Sequence, residues 1–302
     1  MNDNILLESG TGEVELLEFV VANKHYAINI IKIKEVLELP QGSVTKLPDS
    51  NPAIGGLILC RGEIVALIDL SFVLEKQHKV DQEFKAIICE FNKVKVAFNI
   101  DTIVGVHRVK WEQILKPTEI SINSLVIGNI ILNNTIMLLL DFEKIVTDIS
   151  PSTGINEDRI VDVDYKDRHD VKVVLADDSP LIRKLLRDTL TKAGFKNIKI
   201  FDDGKQALTY LEGVFEEKGD KFIEDVQIVI TDIEMPQMDG LTLTRKIKEH
   251  KILRKLPVII FSSLITDDLK HKGKSVGADG QLSKPEIGEL VTLIDKFITE
   301  GK

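Results

Sequence analysis

Four short apolar runs in the second half of the chain each close on a polar residue. Val171–Ala176 ends in Asp177-Asp178, Ile228–Thr231 in Asp232, Val258–Phe261 in Ser262-Ser263, and Gly280–Ser283 in Lys284-Pro285. Short apolar runs bounded by turn formers read as buried strands. In a parallel α/β sheet, ligands bind outside the carboxyl ends of the strands. Side by side, these four ends would bring three carboxylates, a hydroxyl and an ammonium into one crevice. That set suits a divalent cation and a phosphoryl group.

The segments between the runs support a sheet covered by helices. Ser179 is a good N-cap, Pro180 suits the first helical position, and Gly194 closes the helix. A last helix after Pro285 carries Ile287, Leu290, Val291, Ile294, Phe297 and Ile298 on one stripe. Adjacent Asp177 and Asp178 repel each other unless a cation relieves them, and a hard ion such as Mg2+ fits carboxylates, water and phosphate oxygen. Asp232 ends a fully apolar strand and can act as a nucleophile towards phosphorus, giving an aspartyl phosphate. Ser262 and Lys284 would donate to the phosphoryl oxygens. Asp and Ser also end strands as turn formers and caps; the combination and its order carry the argument.

VLADDSPLIRKLL, VITDIEMPQMDG, IIFSSL and LSKP resemble, in order and spacing, the signatures of response-regulator receiver domains. The resemblance implies an α/β doubly wound, flavodoxin-like sheet of strand order 2-1-3-4-5. It implies Asp232 as phosphoacceptor, Ser262 as switch hydroxyl and Lys284 as phosphate contact. Mg2+ would lie among Asp177, Asp178, Asp232 and the Glu234 backbone carbonyl. Two features depart from the pattern. Gln281 stands where receivers usually carry an aromatic residue, so the output route is expected to differ. Glu234 and Leu264 flank the site with an acid and an aliphatic chain, which predicts slow loss of the phosphoryl group to water.

The first half reads differently. Val14–Val20, Lys24–Ile28, Ile54–Leu59, Glu63–Leu67, Ala86–Phe91, Lys93–Phe98, Gly105–Val109 and Thr135–Leu140 are short Val/Ile/Leu-rich runs separated by turn residues. Asn23-Lys24 and Asn92-Lys93 are placed as hairpin turns, and one helix is expected over Ile31–Leu39, with Glu35 and Glu38 on its solvated face. His25, His78 and His107 are unclustered, and Phe19, Phe72, Phe91 and Phe98 read as core. In GGLILCRGEIVALIDL, Arg61-Gly62 forms a tight exposed turn between apolar strands; an arginine there is plain surface or a partner anchor. FVVANKHYAINIIKIKEVLELP, VTKLPDSNPAIGGLILCRGEIVALIDL and VGVHRVKWEQI resemble a CheW-type coupling domain. That resemblance implies an all-β part of two SH3-like five-stranded barrels without an active site. It also implies that Arg61 and Gly62 contact a chemoreceptor cytoplasmic tip or the chemotaxis histidine kinase.

At 302 residues the chain exceeds the usual size of one core. Residues 151–170 are rich in Pro, Gly, Ser and charge, so they read as a linker between a coupling domain at 13–150 and a receiver at 171–300. No repeat links the two halves. The formal net charge is −9, with acid in excess in both halves, which argues against a nucleic-acid partner. No apolar run reaches membrane-spanning length and no secretion signal is expected. Cys60 and Cys89 fit no metal or redox spacing, so they read as reduced thiols of a cytoplasmic protein; the resemblance to a coupling domain implies its recruitment to membrane-associated receptor arrays. The function expected is a phosphorylation-regulated scaffold, not an enzyme, with a phosphate sink for the kinase as the alternative. A phosphatase of the haloacid dehalogenase class is the remote one: Glu234 stands where those enzymes carry a second Asp, and the acidic pair precedes the lysine.

Overall fold

The computed structural model describes residues 13–76, 78, 83–91, 94–115, 125–150, 165–263, 267–284 and 286–300. They fall into two compact units, one within Val14–Gly154 and the other within Ile155–Lys302.

The first unit runs β1 (Glu13–Val21), β2 (Lys24–Asn29), β3 (Ile33–Leu39), β4 (Ile54–Cys60), β5 (Glu63–Ile68) and α1 (Leu70–Glu75). It continues with β6 (Phe84–Phe91), β7 (Val94–Ile100), β8 (Thr102–Lys110), β9 (Val126–Leu132), β10 (Thr135–Leu140) and α2 (Phe142–Ile149). Two five-stranded sheets result, ordered β8-β1-β2-β10-β9 and β3-β6-β7-β5-β4. The order reveals an exchange. Hairpin β1–β2 pairs with strands from the second series, while hairpin β6–β7 pairs with strands from the first. Each sheet has one parallel contact, β10 on β2 and β5 on β7. Both series end alike, with Asp69 and Asp141 accepting from Phe72 N and Lys144 N to cap α1 and α2. Phe142 of α2 packs on Phe98 of one sheet, 4.7 Å between ring centroids, and on Phe19 of the other at 6.1 Å. The two sheets therefore share a core.

The sequence misplaces several elements here. Ile33–Leu39 is a strand, β3, paired antiparallel with β6, and only a 3-10 turn at Ile30–Lys32 precedes it. Its side chains alternate in exposure, a two-residue period that charged Lys34, Glu35 and Glu38 obscure. The first hairpin turns at Ala22-Asn23, both at positive φ, and Lys24 is already in β2. Asn92-Lys93 lies outside the described residues. Strand β9 carries Gly128-Asn129 at its centre, which reads as a turn in sequence. Phe19, Phe91 and Phe98 are buried, whereas Phe72 is half-buried and stacks on His78 at 4.4 Å. His25 and His107 do cluster: Nδ1 of one and Nε2 of the other lie 2.6 and 2.5 Å from the buried Glu18 carboxylate.

The second unit alternates strand and helix: β11 (Arg168–Ala176), α3 (Pro180–Lys192), β12 (Phe195–Phe201), α4 (Gly204–Lys218), β13 (Ile228–Thr231), α5 (Gly240–Glu249), β14 (Val258–Ser262), α6 (Asp267–Ser275), β15 (Gly280–Ser283) and α7 (Ile287–Glu300). All neighbours are parallel in the order β12-β11-β13-β14-β15, the doubly wound arrangement expected. Leu175, Ile230 and Phe261 pack with Leu186 of α3 and Leu290 of α7 on one face. Val174 and Val229 pack with Leu211 of α4 and Leu243 of α5 on the other. Strand β11 starts at Arg168, before the apolar run. Arg168 is buried, paired with Asp295 through Nε–Oδ1 at 2.7 Å and Nη2–Oδ2 at 2.8 Å, and lies 5.2 Å over the Phe195 ring. An internal partner, invisible in sequence, lets a charged residue open a strand.

Candidate functional site

The topology places β11 and β13 side by side, so Asp177 and Asp232 emerge together. Asp232 N donates to Ala176 O at 2.9 Å across that pair. The turn after β11 is fixed locally. Asp177 Oδ1 accepts from Ser179 N at 2.9 Å, Ser179 caps α3, and Arg183 Nη1 donates to Asp177 O at 2.7 Å. Asp232 Oδ1 accepts from Ile233 N at 2.7 Å, and its Oδ2 accepts from Lys284 Nζ at 2.6 Å. The same ammonium lies 3.0 Å from Asp177 Oδ2. Asp177, Asp232, Ser262 and Lys284 are all buried, and Ser262 pairs in register with Ser283, the residue before Lys284.

Carboxylate oxygens of Asp177, Asp178 and Asp232 lie within 4.8 Å of one another. Burial, with the neighbouring charge of Asp232, pushes the Asp177 carboxyl up to about 6 against the pull of Lys284. Hard oxygen donors under this strain fit a divalent cation. Glu234 follows Asp232 by two residues and is half-buried. Leu264 and Pro285 lie outside the described residues. Asp239-Gly240 serves packing: Asp239 caps α5 through Thr242 N at 2.8 Å, and a Cβ on Gly240 would stand 1.8 Å from Asp232 O.

In the first unit, Arg61 and Gly62 form the β4–β5 turn at φ 49° and 85°, a pair of positive values suited to a two-residue hairpin. Arg61 is mostly exposed yet not free. Glu35 of β3 accepts from its Nε at 2.9 Å, and Nη2 lies 2.8 Å away. The buried Cys60 thiol donates to the other Glu35 oxygen at 3.3 Å. These hydrogen bonds, that of Cys60 foremost, hold the Glu35 carboxyl below its usual range. Leu59 and Ile64 pair across the hairpin beside Arg61, and both are exposed, 70% and 74%. The sequence reading missed Glu35 because it placed that residue on the solvated face of a helix.

Residues 15–150 match the model of the CheW-like domain, and residues 173–295 match that of the response regulator receiver domain. The fold and the strand-end site thus define a two-domain signalling protein, an all-β CheW-like part followed by an α/β receiver. The chain is 29% identical to the chemotaxis protein CheV3 of Helicobacter pylori over 96% of each chain. It is 27% identical to the chemotaxis protein CheV1 of the same organism, over 95% of this chain and 94% of that one. Among solved structures, the scaffolding protein TtCheW from Thermoanaerobacter tengcongensis is 24% identical, covers 43% of this chain and 89% of its own, and superposes with a TM-score of 0.39. The chain belongs to the CheV-type chemotaxis coupling proteins. Among the described residues no helix is long and apolar enough to cross a membrane.

Proposed function

We propose that this protein is a coupling scaffold within 13–150 whose engagement of chemoreceptor tips and the histidine kinase is controlled by phosphorylation of a receiver within 171–300. The protein would work in the cytoplasm at membrane-associated receptor arrays. The observation that carries the reading is the Asp232 carboxylate, hydrogen-bonded to Lys284 and grouped with Asp177 and Asp178. An Asp232 oxygen attacks the phosphorus of a kinase phosphohistidine. The new O–P bond forms as the N–P bond breaks, and its electron pair returns to the imidazole nitrogen. Asp177, Asp178, Asp232 and the Glu234 carbonyl would hold Mg2+, which offsets charge on the transferring group. Lys284 offsets further charge, and the Ser262 hydroxyl donates to a phosphoryl oxygen.

On the scaffold side, Arg61 with its exposed neighbours Leu59 and Ile64 supports a docking tip. A guanidinium held by Glu35 and flanked by apolar chains can present both a charge and a contact surface to a protein partner. Receptor-stimulated kinase activity in a reconstituted array tests both halves. Arg61→Ala is expected to lose coupling, and Asp232→Ala to change the response to stimulus while preserving assembly. Insensitivity to both substitutions would overturn the reading. Unchanged coupling in Asp232→Ala with a prolonged kinase signal would make the receiver a phosphate sink.

A further inference from the structure

In the first unit, three adjacent strands bring two histidines to one acid. Glu18 of β1 lies opposite Ala27 of β2, and His25 lies opposite Val20. Side chains alternate along a strand. Glu18, His25 and His107 therefore stand two residues on from Leu16, Ala27 and Val109, all members of one buried apolar cluster. They form the next tier on the same face, where that cluster gives way to water. Glu18 is buried, whereas the His25 and His107 side chains are 36% and 29% exposed, so protons reach both rings. One carboxylate serves the two. His25 Nδ1 lies 2.6 Å from Glu18 Oε1, and His107 Nε2 lies 2.5 Å from Oε2. An ionised carboxylate only accepts, so each of these nitrogens carries a proton.

The surrounding charges are engaged elsewhere. Glu13, Glu15, Arg108 and Lys110 alternate to the opposite face of β1 and β8, where Arg108 pairs with Glu15 at 2.8 Å. Lys24 pairs with Glu75 at 2.6 Å, and Asp101 accepts from Ala22 N at 2.8 Å. Strand β10, the other neighbour of β2, and β9 beyond it carry no ionisable side chain. Burial raises the Glu18 carboxyl, but hydrogen bonds and charge from the two rings bring it below its usual range. It therefore stays negative where imidazoles gain their protons, between about pH 8 and 5. A protonated ring meets it through a charge-assisted hydrogen bond, about twice as strong as a neutral one. A second proton leaves the three groups with one net positive charge, so the first carries most of the gain. Strand β8 is an edge strand with β1 as its one strand neighbour. Only closed β8 sets His107 against Glu18, so the closed strand holds the proton better than the open one. That contribution is present below the imidazole range and is lost as pH rises through it. We propose that Glu18, His25 and His107 are a proton-operated clasp that holds edge strand β8 to the β1–β2 hairpin more firmly at mildly acidic pH.

The test is hydrogen exchange of the full chain at pH 5.5 and 7.5, corrected for the intrinsic pH dependence of amide exchange. Central strand β6 serves as the internal reference. Protection of β8 relative to β6 is expected to be about three- to tenfold higher at pH 5.5, the difference between a charge-assisted and a neutral hydrogen bond. The double variant His25→Gln/His107→Gln keeps an N–H donor for each carboxylate oxygen but does not titrate. Its β8 protection should be the same at both pH values, with β6 protection reporting that it folds. Equal wild-type protection at the two pH values overturns the clasp, and so does a pH dependence that survives in the double variant. Nitrogen-15 NMR of the wild-type rings gives a second reading that needs no variant. At pH 7.5 the proton is expected on His25 Nδ1 and on His107 Nε2; the opposite tautomers would overturn the clasp.

Discussion

At Asp177, burial and function pull in opposite directions. Its carboxyl is pushed from an ordinary 3.8 up to about 6 by burial first and by Asp232 second. A carboxyl raised in the folded state favours folding below its unfolded value, and that contribution is lost as pH rises through the folded one. Between about pH 4 and 6, therefore, the metal-free protein loses stability from this group as pH rises. Mg2+ held among Asp177, Asp178 and Asp232 would favour the ionised form and relieve the penalty. Thermal melts should show a larger Mg2+-induced stabilisation at pH 7.5 than at pH 5, where binding must first expel a proton. Equal stabilisation at both would remove Asp177 from the metal site. The candidate carboxylate ligands Asp177, Asp178 and Asp232 were legible in sequence because they close apolar runs. Glu35 was not, because it reaches Arg61 from 26 residues away on a different strand. Gln281 was legible only as a departure; its hydrogen bond to the Lys270 carbonyl and its place beside Gly273 depend on the packed helix α6.

Among the elements, the helices of the receiver depend on how closely they approach the strand-end loops. Gly240 opens α5 against the Asp232 carbonyl, 1.8 Å from where a Cβ would sit and 2.9 Å from Thr231 Oγ1. Both groups are backbone or buried, so nothing can give. Gly240→Ala is expected to destabilise the receiver by about 1–3 kcal/mol, an overpacking cost, and to weaken beryllofluoride binding. Gly213, exposed within α4, has nothing within 4 Å of its added Cβ. Gly213→Ala should therefore stabilise by about 0.5–1 kcal/mol through helix propensity alone. Denaturant melts of the two variants should move in opposite directions; a shared sign would mean that the α5 approach is not tight. Sequence reading found the central strands, whose apolar runs are buried, and also the edge strands β4, β8 and β15. The strands it mistook or passed over, β3, β9 and β12, are all edge strands, where Lys, Glu, Asn and Gly replace the apolar signal.

For the molecule as a whole, sequence pattern separates a β-rich half from an alternating half, because period and turn spacing are local properties. It does not reveal the exchange of hairpins between the two sheets, which depends on pairings between distant strands. Nor does it place the start of the receiver, since polar residues 165–170 look like linker. The structure gives them partners. Arg168 is 6% exposed, paired with Asp295 and packed on Phe195, and its Nη1 also donates to Ala193 O. Arg168 holds the Asp295 carboxyl below its usual range, with Lys166 adding to the effect. A receiver fragment begun at Tyr165 keeps this clasp, whereas one begun at Val171 loses it and leaves the Ala193 carbonyl to find another donor. The shorter fragment should be less stable by about 1–3 kcal/mol, the cost of a buried hydrogen-bonding group left without its partner. Arg168→Met in the longer fragment should recover part of that loss, because its chain still covers the Phe195 ring. Urea melts of the three proteins decide the point. Equal midpoints for the two fragments would return residues 165–170 to the linker.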